Sequence, residues 1–112
     1  MKKFMVIYRS TKEAMEKMRN KTPEEMKKEI MEPWMAWMAK CGDSLVDKGA
    51  PLGKVQKVTS SGSEQGSDDI GYYNVLQAES MEDALKLIEG HPHFDLGEGC
   101  EISVYEMMPM PS

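Results

Sequence analysis

Both histidines of the chain fall in one short segment, His91-Pro92-His93-Phe94-Asp95. Histidine titrates near neutrality and acts as a general base when a carboxylate orients its ring. Two carboxylates are candidates for that role: Asp95, four residues on, and Asp47, in a turn-rich stretch of the first half. A His91/Asp pair in a cleft would support proton transfer, hydrolysis or a lyase step. The alternative is structural: a histidine just past a helix C-terminus caps free carbonyls and suits the helix dipole. If His91 serves chemistry alone, its replacement by glutamine should leave stability almost unchanged.

His-x-His with a nearby Asp also has the donor types of a metal site. Zinc normally takes three or four protein ligands, however, and no further ones cluster here, so no metal is expected. Cys41 and Cys100 are far apart and form no C-x-x-C pair, which reads as two buried thiols in a reducing compartment. No Gly-Lys-Ser/Thr phosphate loop, dinucleotide fingerprint or Gly-x-Ser-x-Gly elbow occurs, and no cofactor is expected.

A second constellation is aromatic. Trp34, Trp37 and Met38 repeat at helical spacing and would form either plain core or one wall of an apolar ligand pocket, with Tyr72 a further candidate to touch the ligand. Tyr72 and Tyr73 must point to opposite faces of a strand, one toward the helices and one away. Twelve methionines are unusual in 112 residues. They imply a plastic core or an accommodating pocket, and plastic core is the simpler reading.

The elements that position these residues follow from periodicity. Lys3–Arg9 is apolar on both faces, so it should be a central strand covered on each side. Ser10–Lys21 is a weak helix or an ordered loop. Thr22-Pro23-Glu24-Glu25 is a capping box with proline at the first helical position, and Met26, Ile30, Trp34, Trp37 and Cys41 then form a helical stripe. Pro33 should kink or break that helix. Leu45–Gly53 is rich in turn residues, Lys54–Ser60 reads as an edge strand, and Ser61–Asp69 as a long hairpin loop. Gly71–Ala78 is a strand. Ser80 caps a helix with Met81, Ala84, Leu85 and Ile88 on one face, Gly90 ends it, and Cys100–Met107 is the last strand.

The order β-α-β-β-α-β is the ferredoxin-like α+β arrangement: a four-stranded antiparallel sheet, both helices on one face, the first and third strands in the middle. With no internal repeat or linker, residues 1–112 read as one domain. The large apolar groups of Phe4-Met5-Val6-Ile7 leave a second sheet face to cover. A second copy of the chain is the economical cover. The runner-up is a monomer in which Ser10–Lys21 folds back over that face.

The stretches Gly71-Tyr72-Tyr73, Ala78-Glu79-Ser80-Met81-Glu82-Asp83-Ala84, His91-Pro92, Gly99-Cys100-Glu101-Ile102 and Pro109 resemble the C-terminal half of the YCII-related (DGPF) domain family. Trp34–Gly42 and Gly49-Ala50-Pro51-Leu52-Gly53 are similar to a branch of the same group. The resemblance covers nearly the whole chain and implies a dimeric α+β barrel, with a His/Asp pair in a cleft as the suggested catalytic group of some relatives. The Asp-Gly-Pro-Phe signature is absent before Gly71, where Ser-Glu-Gln-Gly-Ser-Asp-Asp stands instead. Whatever that motif does elsewhere does not transfer.

The net charge of −5 argues against a nucleic-acid surface. The apolar run Phe4–Tyr8 is too short for a secretory signal or a membrane span, so a cytoplasmic homodimer is expected. Two functions stay open: a small-molecule enzyme with a His/Asp pair, or a non-catalytic dimeric module that binds a ligand or partner in the same cleft.

Overall fold

A computed structural model describes residues 1–110. Its main sheet is antiparallel and has four strands, β1 (Lys2–Arg9), β2 (Leu45–Pro51), β5 (Ile70–Ala78) and β6 (Glu101–Glu106), in the spatial order β2-β5-β1-β6. The strand rich in apolar residues on both faces, β1, is central and pairs with β5 on one side and β6 on the other. Alternation then sorts the side chains. Phe4, Val6 and Tyr8 of β1 are buried and lie opposite Leu76, Asn74 and Tyr72 of β5. These meet the helices. Met5 and Ile7, with Tyr73 and Tyr105 beside them, occupy the other face, which among the described residues no helix covers.

Four helices connect the strands: α1 (Lys12–Arg19), α2 (Pro23–Met26), α3 (Glu32–Cys41) and α4 (Met81–Ile88). Each long connection begins where a side chain can satisfy free backbone donors. Thr11 Oγ1 accepts from the Ala14 N–H at the start of α1, and Ser80 Oγ accepts from the Asp83 N–H at the start of α4. Thr22 and Glu25 form a complete capping box at α2.

Pro33 neither breaks the helix nor stands alone. Lys27–Met31, between α2 and α3, forms a π-helical turn in which Glu32 N–H donates to the Lys27 carbonyl. A proline ring collides with the carbonyl four residues earlier and offers no N–H. The wider π turn ahead of it accommodates both problems, so the helix continues.

The second strand of the sheet is not Lys54–Ser60 but Leu45–Pro51. Its glycine and proline content, read in the sequence as turns, reflects a bulged strand. The register against β5 shifts between Leu45 and Asp47 and again between Asp47 and Ala50. Gly49 makes the second shift possible. It has φ 74°, and a Cβ there would sit 1.5 Å from the Tyr73 carbonyl oxygen. Lys54–Ser60 supplies instead β3 (Val55–Thr59), which pairs with β4 (Gly62–Gly66) in a separate two-stranded hairpin turning at Ser60-Ser61. Part of the stretch read as loop is therefore β4.

The core lies between the sheet and α3 and α4. Val6, Tyr8, Trp37, Cys41, Leu76 and Ile88 form one cluster, and Phe4, Ala78 and Ala84 a smaller one. Trp37 Nε1–H donates to the Leu87 carbonyl at 2.8 Å and ties the two helices together. Among the described residues no methionine is fully buried, and of the twelve only Met38 and Met81 pack against the core clusters, so plastic core accounts for few of them. Among the described residues no helix is long and apolar enough to cross a membrane.

Within α4 the buried positions are Ala84 and Ile88, whereas Leu85 is 47% exposed. Ile88→Ala should therefore cost about 2–5 kcal/mol in urea unfolding, and Leu85→Ala under about 1 kcal/mol. Equal losses would mean that α4 packs with a different face.

Candidate functional site

A cavity of about 890 Å³ opens between the helical segment Met26–Met38, helix α1, the start of the hairpin and the sheet. Half of the chain's methionines line it: Met15 and Met18 from α1, and Met26, Met31, Met35 and Met38 from the longer helical segment. The π turn sets the phase of the helix that follows it. One extra residue rotates every following side chain by roughly 100° about the axis. Met31, Trp34, Met35 and Met38 consequently face the cavity, while Trp37 and Cys41 enter the core. Thioether side chains are unbranched and polarisable, and adapt to ligand shape. Helix α1 belongs to this wall and does not fold over the open sheet face.

The sheet side of the cavity is aromatic. Tyr8, Trp34 and Tyr72 pack on one another, with ring centroids 4.8 Å apart for Tyr8–Trp34, 4.9 Å for Trp34–Tyr72 and 5.8 Å for Tyr8–Tyr72. Tyr72 O–H donates to the Lys48 carbonyl at 3.0 Å, which anchors this wall to the bulge of β2. Asn74 Nδ2 donates to the Tyr8 hydroxyl at 2.9 Å. Burial pushes the Tyr8 phenol well above its ordinary pKa, so it stays protonated. Ser10 and His93 add polar groups to this side of the wall.

The two histidines take different positions. His93 lines the cavity, and its Nε2 lies 2.8 Å from the Arg9 carbonyl. A carbonyl only accepts, so Nε2 carries the proton and donates. Burial lowers the His93 pKa, while the carbonyls of Arg9 and Glu101 oppose the shift. His91 is 1% exposed and does not line the cavity. Its ring sits against Trp37, Trp34 and Tyr8, at centroid distances of 4.3, 4.7 and 5.0 Å. Its Nδ1 accepts from the His93 backbone N–H at 2.9 Å and opens the 3₁₀ turn Pro92–Leu96. Burial, reinforced by His93, pushes its pKa down to about 3.

Neither carboxylate proposed from the sequence reaches His91. Asp95 is exposed on the 3₁₀ turn, and neither it nor Asp47 forms a hydrogen bond to His91. Asp47 instead accepts from the Gly49 N–H at 2.9 Å, which holds the bulge. Asp95 is close to His91 in sequence, but the helical turn carries it outward while His91 turns inward. Among the described residues, no three His, Cys, Asp or Glu side chains converge as metal donors would. Of the three residues read as substrate-contacting, Trp34 and Tyr72 line the cavity and Trp37 lies in the core. Sequence reasoning missed Tyr8 and His93 as cavity residues, although central-strand position and the second histidine of the segment were available signals.

One unsatisfied spot adjoins the cavity wall. Because His91 Nδ1 accepts, the neutral ring must carry its proton on Nε2, and that atom has no partner. Asn74 Oδ1 is likewise buried without one. Both residues touch Tyr8.

No family model and no curated protein matches this chain. Among solved structures, it is similar to 5-chloro-2-hydroxyhydroquinone dehydrochlorinase from Burkholderia phenoliruptrix AC1100, in complex with 2,5-dihydroxybenzoquinone. The TM-score is 0.54 at 13% identity, over 90% of each chain. At that identity the likeness is one of fold: a mixed α+β chain with a four-stranded antiparallel sheet and helices.

The burial of His91 has a pH consequence. Its folded pKa lies far below the unfolded value near 6.5, so the unfolded chain binds the extra proton first. The contribution of neutral His91 to stability is complete above pH 6.5 and is lost progressively as pH falls toward 3. Protonation at Nδ1 also breaks the bond from His93 N–H. The urea midpoint of His91→Gln should accordingly fall less between pH 7 and 4 than that of the wild type. Its stability at pH 7 should drop, because a packed ring is lost; a variant as stable as wild type would return His91 to the surface.

Proposed function

We propose that this chain is a YCII-related domain that binds a small apolar or aromatic molecule in the methionine-lined cavity. One observation carries the reading: six methionines gather around a cavity of about 890 Å³ walled by Tyr8, Trp34 and Tyr72. That volume suits a drug-sized ligand, and a mostly apolar lining with few polar groups is usual for such sites. The binding-module reading is favoured over the His91/Asp enzyme, because the supposed base is buried in the core away from any carboxylate.

An enzymatic reading has its own support in the fold shared with a dehydrochlorinase crystallised with a dihydroxybenzoquinone. In that case the proton-handling groups would be His93 and Tyr8, which face the cavity, and not His91. Tyr8→Phe would then abolish turnover of a screened substrate while its binding persists.

The neutral fluorescent probe N-phenyl-1-naphthylamine tests the binding reading. It should bind stoichiometrically and quench Trp34. Met35→Trp, at a cavity position that is 61% exposed, should weaken it at least about fivefold and leave the fold intact. Absence of binding, or binding indifferent to that change, refutes the reading.

The domain is further proposed to act as a homodimer through its open sheet face. The chain measures 47 × 44 × 21 Å, one sheet and one layer of helices thick, and its radius of gyration is 15.6 Å against about 13 Å for a compact domain of this length. Met5, Ile7 and Tyr73 give that face its apolar character. Sedimentation equilibrium at micromolar concentration should give a dimer mass, and Ile7→Glu a monomer. A wild-type monomer would end this part of the proposal.

A further inference from the structure

The ligand-binding reading names an apolar body but leaves its polar end open, and the charges around the cavity bear on that end. Three charged side chains line it: Arg19 at the end of α1, Lys54 between β2 and β3, and Asp68 between β4 and β5. Asp68 already has partners. Its Oδ1 accepts from the Asp69 N–H at 2.8 Å, and Lys57 of the hairpin adds a favourable charge beside it. Both effects hold its carboxyl below the usual range.

Arg19 and Lys54 outnumber this one acid. Among the described residues, neither Arg19 nor Lys54 takes part in an ion pair, although the chain carries nineteen acids against fourteen lysines and arginines. The nearby Lys21 is by contrast paired with Glu29 at 2.9 Å. In a chain of net charge −5, two cations and one acid line the methionine-rich cavity, a local excess of positive charge. A local excess of one charge around an apolar opening attracts a ligand of opposite sign.

Resting on the cavity reading above, we infer that the site takes an anionic amphiphile. Its ring-sized apolar body packs among the methionines and Trp34, and its negatively charged head lies at Arg19 and Lys54. The aromatic wall favours a flat body, since Trp34 and Tyr72 present ring surfaces at the sheet side. Water still reaches Arg19 and Lys54, which are exposed. Each ion pair with the ligand head is therefore modest in strength and sensitive to salt.

Two probes with the same naphthylamine body separate head from body: 1-anilinonaphthalene-8-sulfonate, which is anionic, and neutral N-phenyl-1-naphthylamine. Titrations would use the full chain and the double variant Arg19→Gln/Lys54→Gln, both exposed changes that leave the core untouched. The double variant should weaken the sulfonate about five- to tenfold and the neutral probe less than about twofold. Raising sodium chloride from 0.05 to 0.5 M should weaken only the sulfonate, and only in the wild type. A sulfonate affinity unchanged by the double variant, or equal weakening of both probes, overturns the anionic head while leaving the apolar site standing. Failure of the neutral probe to respond to Met35→Trp overturns the site itself, and this inference with it.

Discussion

The aromatic packing around Tyr8 is the contact on which core and cavity both depend. Tyr8 sits on the central strand, 1% exposed, with Trp34, Tyr72, His91 and His93 within 4.8 to 5.8 Å of its ring centroid. It belongs to the main core cluster and also to the cavity wall. Aromatic pairs at these separations contribute about 0.5–1.5 kcal/mol each beyond their buried area. A ring held from four sides cannot shift without disturbing the helix, the neighbouring strand and the turn after α4 together. The cavity wall is rigid where it meets the sheet and adaptable where methionines line it.

That division of labour depends on two local distortions. The π turn at Lys27–Met31 accommodates Pro33 and turns one flank of the long helical segment toward the cavity and the other toward the core. The bulge in β2, which requires Gly49 and is braced by Asp47, brings the Lys48 carbonyl within reach of the Tyr72 hydroxyl. Each distortion costs regular hydrogen bonding at one point and positions a wall residue at another. A regular helix and a regular strand would align Trp34 and Tyr72 differently.

The histidines illustrate how the same residue type diverges by environment. His91, enclosed by two tryptophans and a tyrosine, is neutral and uses its Nδ1 to begin a turn. His93, two residues on, meets the cavity while fixed to the Arg9 carbonyl. A histidine without a carboxylate and with a depressed pKa is a poor general base at neutral pH. This shifts functional weight from the His/Asp pair to the cavity.

Much was determined by local chemistry, and is legible in the sequence. The alternating burial of β1, the capping box at Thr22 and Glu25, the Ser80 cap and the end of α4 at Gly90 all follow from residues within a few positions of one another. The α+β order and the central place of β1 follow from those elements. Tertiary structure alone decided the rest, because each remaining point turns on a contact distant in sequence. Leu45–Pro51 becomes a strand only because β5 lies beside it and Gly49 can fold against the Tyr73 carbonyl. Six of the methionines are scattered over α1 and the long helical segment, and only packing reveals that they share one cavity. Asp47, Asp95 and His91 are close in chemistry yet separate in space, since backbone hydrogen bonding claims Asp47 and burial claims His91. Periodicity reports which side of an element is apolar. It does not report whether that side meets another element or an open cavity, because water exclusion is a property of the assembled surfaces.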